Sequence, residues 1–192
     1  MKKAATFIAG LVLTVQLFIP ARAQDDTDRV GYFDVRSATL TLIDGVQVLN
    51  ARLQLVLSAE ALQALNSGIT LNIDLELEVI RRRRWLPDAT AASLTVRYQL
   101  EYLPLSQRYI VRNINSGQQD SFATLFSALN NLGRIQSLPV IDDTILNPKS
   151  KYRIRLRALL STRQYSATFR VLFFWRSEWD LKSDWYEWRL ER

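Results

Sequence analysis

The chemistry open to this chain is limited because the chain contains no histidine and no cysteine. Ser-His-Asp and Cys-His nucleophiles and the usual nitrogen and sulfur zinc sites are therefore excluded. The carboxylates Asp142 and Asp143 lack the apolar context that a glycosidase-like acid needs, and so do Glu178 and Asp180. Asp142 and Asp143 could contribute to a calcium site, but no ligand-loop spacing follows them. We therefore predict a protein that is not an enzyme and holds no metal and no cofactor.

A run of four arginines is the sharpest local signal. It comprises Arg81, Arg82, Arg83 and Arg84 and is followed directly by Trp85. Four guanidiniums together could bind lipid phosphates, lipid A or an acidic patch on a protein. The alternative is a solvated loop or strand end, which the Pro87-Asp88 turn signal and the lack of a larger basic excess favour. Residues 81–85 are therefore candidate contacts, with a solvated turn as the simpler interpretation.

The C-terminal segment concentrates the aromatic residues. Four of the five tryptophans lie there, namely Trp175, Trp179, Trp185 and Trp188. Tryptophan rings stack on sugar faces and anchor protein interfaces, which would suit a glycan or peptidoglycan groove. Tryptophan also fills cores, and the repeated Ser-x-Trp at 177–179 and 183–185 is typical of a strand–turn–strand that closes a β fold. We favour the structural role, with one or two rings exposed, and keep Trp179, Trp185 and Trp188 as candidate contacts.

Alternating hydrophobicity predicts the strands that position these residues. The clearest case is 69–79, where every odd position is apolar and every even position is polar. Further strands are predicted at 33–43, 46–57, 94–102, 109–113, 151–158 and 167–175. Asp44-Gly45 is a strong hairpin turn signal, and 103–108 forms another hairpin connection. One-sided alternation over seven or eight strands predicts antiparallel sheets.

Two short helices and a loop complete the predicted elements. Ser58 caps a helix over 59–66, and Asp120 or Ser121 caps a second that runs to about Leu132. The second helix presents an apolar face comprising Phe122, Leu125, Phe126, Leu129 and Leu132. Residues 134–150 contain two prolines and are predicted as a long ordered loop. The predicted fold is mainly β, an antiparallel β-sandwich that is immunoglobulin-like in general architecture.

Two predicted strands carry charged rows of opposite sign. The acidic row comprises Asp74, Glu76 and Glu78, and the basic row comprises Arg153, Arg155 and Arg157. If the strands are neighbours, cross-strand pairs help to fix their register. If they are not, each row is an exposed ladder that a partner can bind. The register role is the favoured interpretation.

The N-terminus predicts export. Lys2 and Lys3 precede an uncharged, mostly apolar stretch over 4–19, and Pro20 and Ala21-Arg22-Ala23 follow. This is the pattern of a signal peptide cleaved after Ala23, and the apolar part is shorter than the roughly 20 residues that span a bilayer. Residues 24–31 are predicted to form a flexible leader, and 32–192 one β-sandwich domain.

The bacterial look of this signal predicts a soluble periplasmic or secreted protein, and the periplasm is the favoured compartment. The absence of cysteine argues against a disulfide and against a lipid anchor. Removal of residues 1–23 leaves 22 of the 25 basic residues against 19 acidic ones. A net charge of about +3 is ordinary for a protein surface and argues against nucleic acid as a partner.

Several motifs resemble a bacterial exported family known as domain of unknown function 4390. They are Val35-Arg36-Ser37-Ala38 with Asp44-Gly45, Leu57-Ser58-x-Glu60-x-Leu62-x-x-Ala64-Leu65-x-x-Gly68, Ser121-Phe122 through Leu132-Gly133-Arg134-Ile135 with Pro139-Val140, and Ser177-x-Trp179-x-Leu181-x-Ser183-x-Trp185. The arginine run is more basic than the resemblance implies. The resemblance implies no catalytic residues, and it implies a gene encoded near that of a two-component sensor kinase of the nitrogen-regulation type.

The leading functional hypothesis is a non-enzymatic periplasmic domain that binds another protein of the cell envelope, for example a membrane sensor kinase. Its contacts would be an exposed sheet edge or face, residues 81–85 and exposed C-terminal aromatics. The alternative is a ligand-binding module for glycan, peptidoglycan or anionic lipid.

Overall fold

The computed structural model describes residues 30–161 and 181–191. The predicted signal peptide, most of the predicted leader, the predicted strand at 167–175 and Trp179 lie outside these ranges. In the described part the protein is mainly β, with two antiparallel sheets of three and six strands and two short helices.

The smaller sheet has the strand order β1-β2-β7. Its strands are β1 (Tyr32–Ile43), β2 (Val46–Val56) and β7 (Arg134–Asp142). The predicted turn between β1 and β2 is confirmed, since Asp44 and Gly45 have φ values of 50° and 82°. Two successive left-handed residues form the tight hairpin turn whose twist matches the flanking strands.

The larger sheet has the strand order β6-β5-β4-β3-β8-β9. Its strands are β3 (Leu71–Arg82), β4 (Ala89–Leu103), β5 (Arg108–Asn113), β6 (Gln119–Phe122), β8 (Lys151–Ser161) and β9 (Tyr186–Arg189). The predicted hairpin connection at 103–108 is confirmed, because β4 and β5 pair with Leu103 opposite Arg108.

The two helices are α1 (Ala59–Asn66) and α2 (Leu125–Leu132). The Ser58 side chain accepts a hydrogen bond from the Ala61 amide and caps α1 as predicted. The predicted start of α2 was wrong, because Asp120, Ser121 and Phe122 belong to β6 and Thr124 provides the cap. In the described part of the chain, no helix is long and apolar enough to cross a membrane.

The predicted loop at 134–150 was also wrong at its start, where β7 pairs with β2. Proline interrupts the alternation that marks a strand, and Ser137 takes a left-handed φ of 51° that disturbs the register. An edge strand tolerates Pro139 because one side of its backbone needs no partner. After β7, Asp143–Ile145 form a single 3-10 turn.

The inward side chains of both sheets and both helices form one hydrophobic cluster. Fully buried members come from both sheets and include Leu49, Leu71, Val79, Leu100, Ile154 and Leu156. The odd-numbered residues of β3 from 71 to 79 belong to this cluster, as their alternation predicted. The core therefore fixes which face of β3 carries its charges.

Two of the β3 residues predicted to face water are buried. Asn72 and Asp74 are only 3% and 2% exposed. The physical reason is that β3 lies between β4 and β8, so that long side chains of its neighbours cover its outer face. The Gln99 amide lies over Asn72, and the Arg97 guanidinium lies over Asp74.

Candidate interaction surfaces

The four arginines lie at one end of the larger sheet. Arg81 and Arg82 end β3, and Arg83 and Arg84 begin the connection to β4. We call residues 81–88 the arginine tip. At its apex Trp85 and Leu86 are 87% and 63% exposed. The structure therefore brings the predicted contacts of residues 81–85 together on one protruding hairpin.

The arginine tip carries a concentrated positive charge. Within the described ranges none of its four guanidiniums forms an ion pair. Asp88, its one acidic residue, accepts a hydrogen bond from the Arg83 amide at 3.2 Å and lies 3.6 Å from the Arg153 guanidinium. Lys151 adds another exposed cation, since it lies opposite Arg82 in the register of β3 and β8. The tip is therefore cationic with an apolar apex.

The predicted pairing of the two charged rows is confirmed at two positions. Glu76 lies opposite Arg157 and Glu78 opposite Arg155, and each arginine lies 2.6 Å from its carboxylate. These pairs span β3 and β8, which lie far apart in sequence. The paired charges therefore help to fix the register of β3 and β8, and they are not free to bind a partner.

The remaining acidic residue of the row pairs with the other neighbouring strand. On β8 the residue opposite Asp74 is the uncharged Leu159. On β4 the residue opposite Asp74 is Arg97. Arg97 donates two hydrogen bonds to it, from Nε at 2.6 Å and from Nη2 at 2.7 Å. The hydrogen bond to Asp74 raises the pKa of Arg97 above its ordinary value. Arg153, which has no acid opposite it on β3, bonds to Glu187 of β9 at 3.1 Å.

The described C-terminal tryptophans pack against the protein. The Trp185 ring lies over two guanidiniums of the basic row, 4.3 Å from Arg155 and 4.1 Å from Arg157. Trp188 lies on β9, packs against the hydrophobic cluster and contacts Tyr186. Both rings are half-buried. Trp185 thus stabilises the paired rows by cation–π contacts, and part of each ring still faces solvent.

The outer edge of β1 is a surface that the sequence alone did not single out. In the described part β1 pairs only with β2, so its other side has no strand partner there. Residues 37–43 contain no charged side chain, and Leu42 and Ile43 are 53% and 46% exposed. We call residues 37–43 the β1 edge. The only sequence signal for it is this lack of charge.

A second exposed apolar element lies beside the end of the β1 edge. The amide of Asp143 donates to the carbonyl of Gly45 at 2.8 Å and fixes the 3-10 turn against the hairpin turn. This turn carries Ile145, which is 68% exposed. Leu42, Ile43 and Ile145 therefore form exposed apolar positions at one end of the smaller sheet.

A groove of about 550 Å³ lies between β2 and α2. It is lined mainly by Leu53, Leu55, Leu125, Leu129, Arg36 and Arg52. Phe126 lines it as well and is 78% exposed, so this member of the predicted apolar face is not buried. The buried face of α2 is formed instead by Ala128, Leu129 and Leu132.

Two of the carboxylates considered for catalysis or calcium, Asp142 and Asp143, have structural partners. Asp142 caps the 3-10 turn, and its hydrogen bonds from Thr144 lower its pKa. Asp143 accepts a hydrogen bond from the Gln47 amide at 2.7 Å. Residues 30–161 and 181–191 contain no group of three or more acidic residues that could hold a metal ion. Glu178 and Asp180 lie outside these ranges.

The architecture and these surfaces define a cysteine-free, mainly β protein with two antiparallel sheets and exposed cationic and edge-strand surfaces. The chain belongs to the family Domain of unknown function (DUF4390), whose model matches residues 32–189. Comparison with curated proteins and with solved structures found no match. The resemblance noted in the sequence is thereby confirmed.

Proposed function

We propose that this protein is a non-enzymatic protein-interaction domain of the bacterial cell envelope that binds an extended segment of a partner along the β1 edge. The observation that carries this proposal is the contrast between this edge and the other sheet edges of the described chain. A bare strand edge presents a row of N–H and C=O groups that another strand can pair with.

The other edges are each blunted in a way that proteins use to prevent such pairing. Strands β6 and β9 are only four residues long. Strand β7 carries Pro139 and the left-handed Ser137, and its register with β2 is interrupted. Short strands, proline and irregular pairing all discourage the addition of a further strand. The β1 edge has seven residues and no proline, and its pairing with β2 is regular after the register shift of β1 between Val35 and Ser37.

The β1 edge also offers side-chain contacts beyond its backbone. A partner strand would pass Leu42 and Ile43 at the end of β1, where both side chains are exposed. Main-chain hydrogen bonds supply affinity in this mode of binding, and apolar side chains supply specificity. We expect the partner segment to be extended and apolar where it passes these residues.

The proposed compartment is supported by the sequence, and the proposed partner by the family resemblance. The signal pattern supports export to the periplasm, and the absence of His and Cys supports a non-enzymatic role. A membrane sensor kinase with a periplasmic segment is a partner of the kind proposed. The proposal also includes packing of the two sheets in an immunoglobulin-like sandwich, which the shared hydrophobic cluster supports.

The test is co-purification from crosslinked envelope fractions. Thr39→Lys with Thr41→Lys places two charges on exposed positions of the β1 edge. Thr90→Lys with Thr95→Lys is the matched control, because these threonines are exposed on β4. We expect the wild type and the control to recover the same specific protein and the β1 variant to lose it.

Equal recovery by both variants would overturn the β1 edge as the binding surface. Recovery of no specific protein, with unchanged sensor output on deletion of the protein, would overturn the interaction role itself. Thermal unfolding of both variants shows whether they remain folded, since exposed threonine positions should tolerate lysine with little loss of stability.

A further inference from the structure

We propose that the arginine tip is a docking site for an anionic phospholipid membrane. This inference goes beyond the proposed function, because it concerns the far end of β3 in the larger sheet and the proposed function concerns the smaller sheet. It rests on charge, exposure and shape at residues 81–88.

The charge of the tip is complementary to an anionic lipid surface. Its four guanidiniums form no ion pair within the described ranges, and Lys151 lies beside them in the sheet register. Asp88 is directed toward Arg153 and the Arg83 amide. Arginine binds phosphate in a planar, bidentate manner, and clusters of basic residues are attracted to anionic leaflets.

The apex of the tip has the side chains that enter a lipid interface. Trp85 and Leu86 are 87% and 63% exposed, and Arg84 lies 5.5 Å from the Trp85 ring centroid. Tryptophan prefers the headgroup level of a bilayer, and arginine keeps its charge in the headgroups while its stem covers apolar surface. A protruding hairpin can present these residues without rearrangement of the sheet.

An acidic protein is a less suitable occupant for this site. A protein interface usually buries its apolar anchors in a pocket between two preformed surfaces. Here the apolar residues lie at the apex of a convex hairpin with the cations behind them. In a membrane the apolar apex would reach the acyl chains, and the arginines behind it would lie among the charged headgroups.

The experiment is cosedimentation of the mature protein with phosphatidylcholine vesicles that contain about 30% phosphatidylglycerol, an anionic lipid. Arg82→Gln with Arg84→Gln should weaken binding about fivefold for each arginine, or about 25-fold together. Arg52→Gln with Arg134→Gln is the matched control, because it removes two exposed charges from the smaller sheet. This control should bind within about twofold of the wild type.

Two further measurements test the geometry. Trp85→Ala should weaken binding and abolish the quenching of tryptophan fluorescence by lipids with brominated acyl chains. Added salt should weaken binding of the wild type, because it screens the attraction between guanidiniums and headgroups. Unchanged thermal unfolding of the exposed tip variants would show that loss of binding is not loss of folding.

Three results would overturn the proposal. The first is equal binding to vesicles of phosphatidylcholine alone, and the second is an equal loss of binding in the Arg52/Arg134 control. The third is binding to polyglutamate without binding to anionic vesicles, which would assign the tip to an acidic protein. None of these results bears on the β1 edge, so the two proposals fail separately.

Discussion

The ion pair between Asp74 and Arg97 should contribute more to the free energy of unfolding than any other described ion pair of the larger sheet. The Asp74 side chain is 3% exposed and accepts two hydrogen bonds from Arg97, whose side chain is 26% exposed. Replacement by asparagine keeps the volume of the side chain but removes the charge, and it presents an amide donor to a guanidinium that can only donate.

The magnitude follows from burial. Breaking a fully buried ion pair costs about 3–5 kcal/mol, because the remaining charge has lost its partner and its water. Arg97 keeps partial access to solvent, so we expect Asp74→Asn to lower the free energy of unfolding by about 2–3 kcal/mol. For a protein of this size that corresponds to a fall in Tm of about 5–10 °C.

The assay is urea unfolding followed by circular dichroism, with Arg97→Gln and the double variant completing a mutant cycle. Glu78→Gln is the matched comparison, because its pair with Arg155 has side chains 24% and 29% exposed. Because this pair is more exposed, its loss in Glu78→Gln should lower the free energy of unfolding by only about 1 kcal/mol. Equal losses of unfolding free energy in Asp74→Asn and Glu78→Gln would refute the claim that burial strengthens the Asp74 pair. A zero coupling energy between Asp74 and Arg97 in the cycle would refute it as well.

Four other substitutions test the packing described above. Gly133→Ala should lower the urea midpoint by an amount equivalent to about 2–3 kcal/mol, because its Cβ would clash with the backbone carbonyl oxygen of Leu53 in β2. A normal midpoint would show that this close approach does not exist. Ser58→Ala should cost about 1 kcal/mol by differential scanning calorimetry, through loss of the α1 cap. An unchanged Tm would contradict the cap. Trp185→Leu should destabilise by about 1 kcal/mol in chemical unfolding, through loss of its guanidinium contacts, whereas Trp85→Leu should leave stability unchanged. Equal effects of the two tryptophan substitutions would contradict their different burial.

Local patterns in the sequence were sufficient to predict most strands and one helix. The alternation over residues 69–79, the Asp44-Gly45 turn and the Ser58 cap each depend on a few neighbouring residues. Local patterns failed where tertiary contacts outweighed them. Pro139 is accepted in β7 because β7 is an edge strand, a fact that depends on which strands pair.

The surfaces were less predictable than the elements. The arginine run was evident in the sequence, but its exposure at the apex of a hairpin required the structure. Asp74 belongs to a row of polar residues, and only the central position of β3 explains its burial. The β1 edge was missed because a strand becomes an edge through the absence of a neighbour, which no local sequence pattern encodes.

The central claim is that a partner protein pairs with the β1 edge, and site-specific photocrosslinking in living cells tests it most directly. A photoreactive phenylalanine analogue at Thr41 lies on the edge, and the same analogue at Thr95 lies on an exposed position of β4. We expect a crosslink to one envelope protein from position 41 but not from position 95. Its attachment site should lie in an extended apolar segment of that envelope protein. A crosslink from both positions or from neither, with both proteins folded and exported, would contradict it.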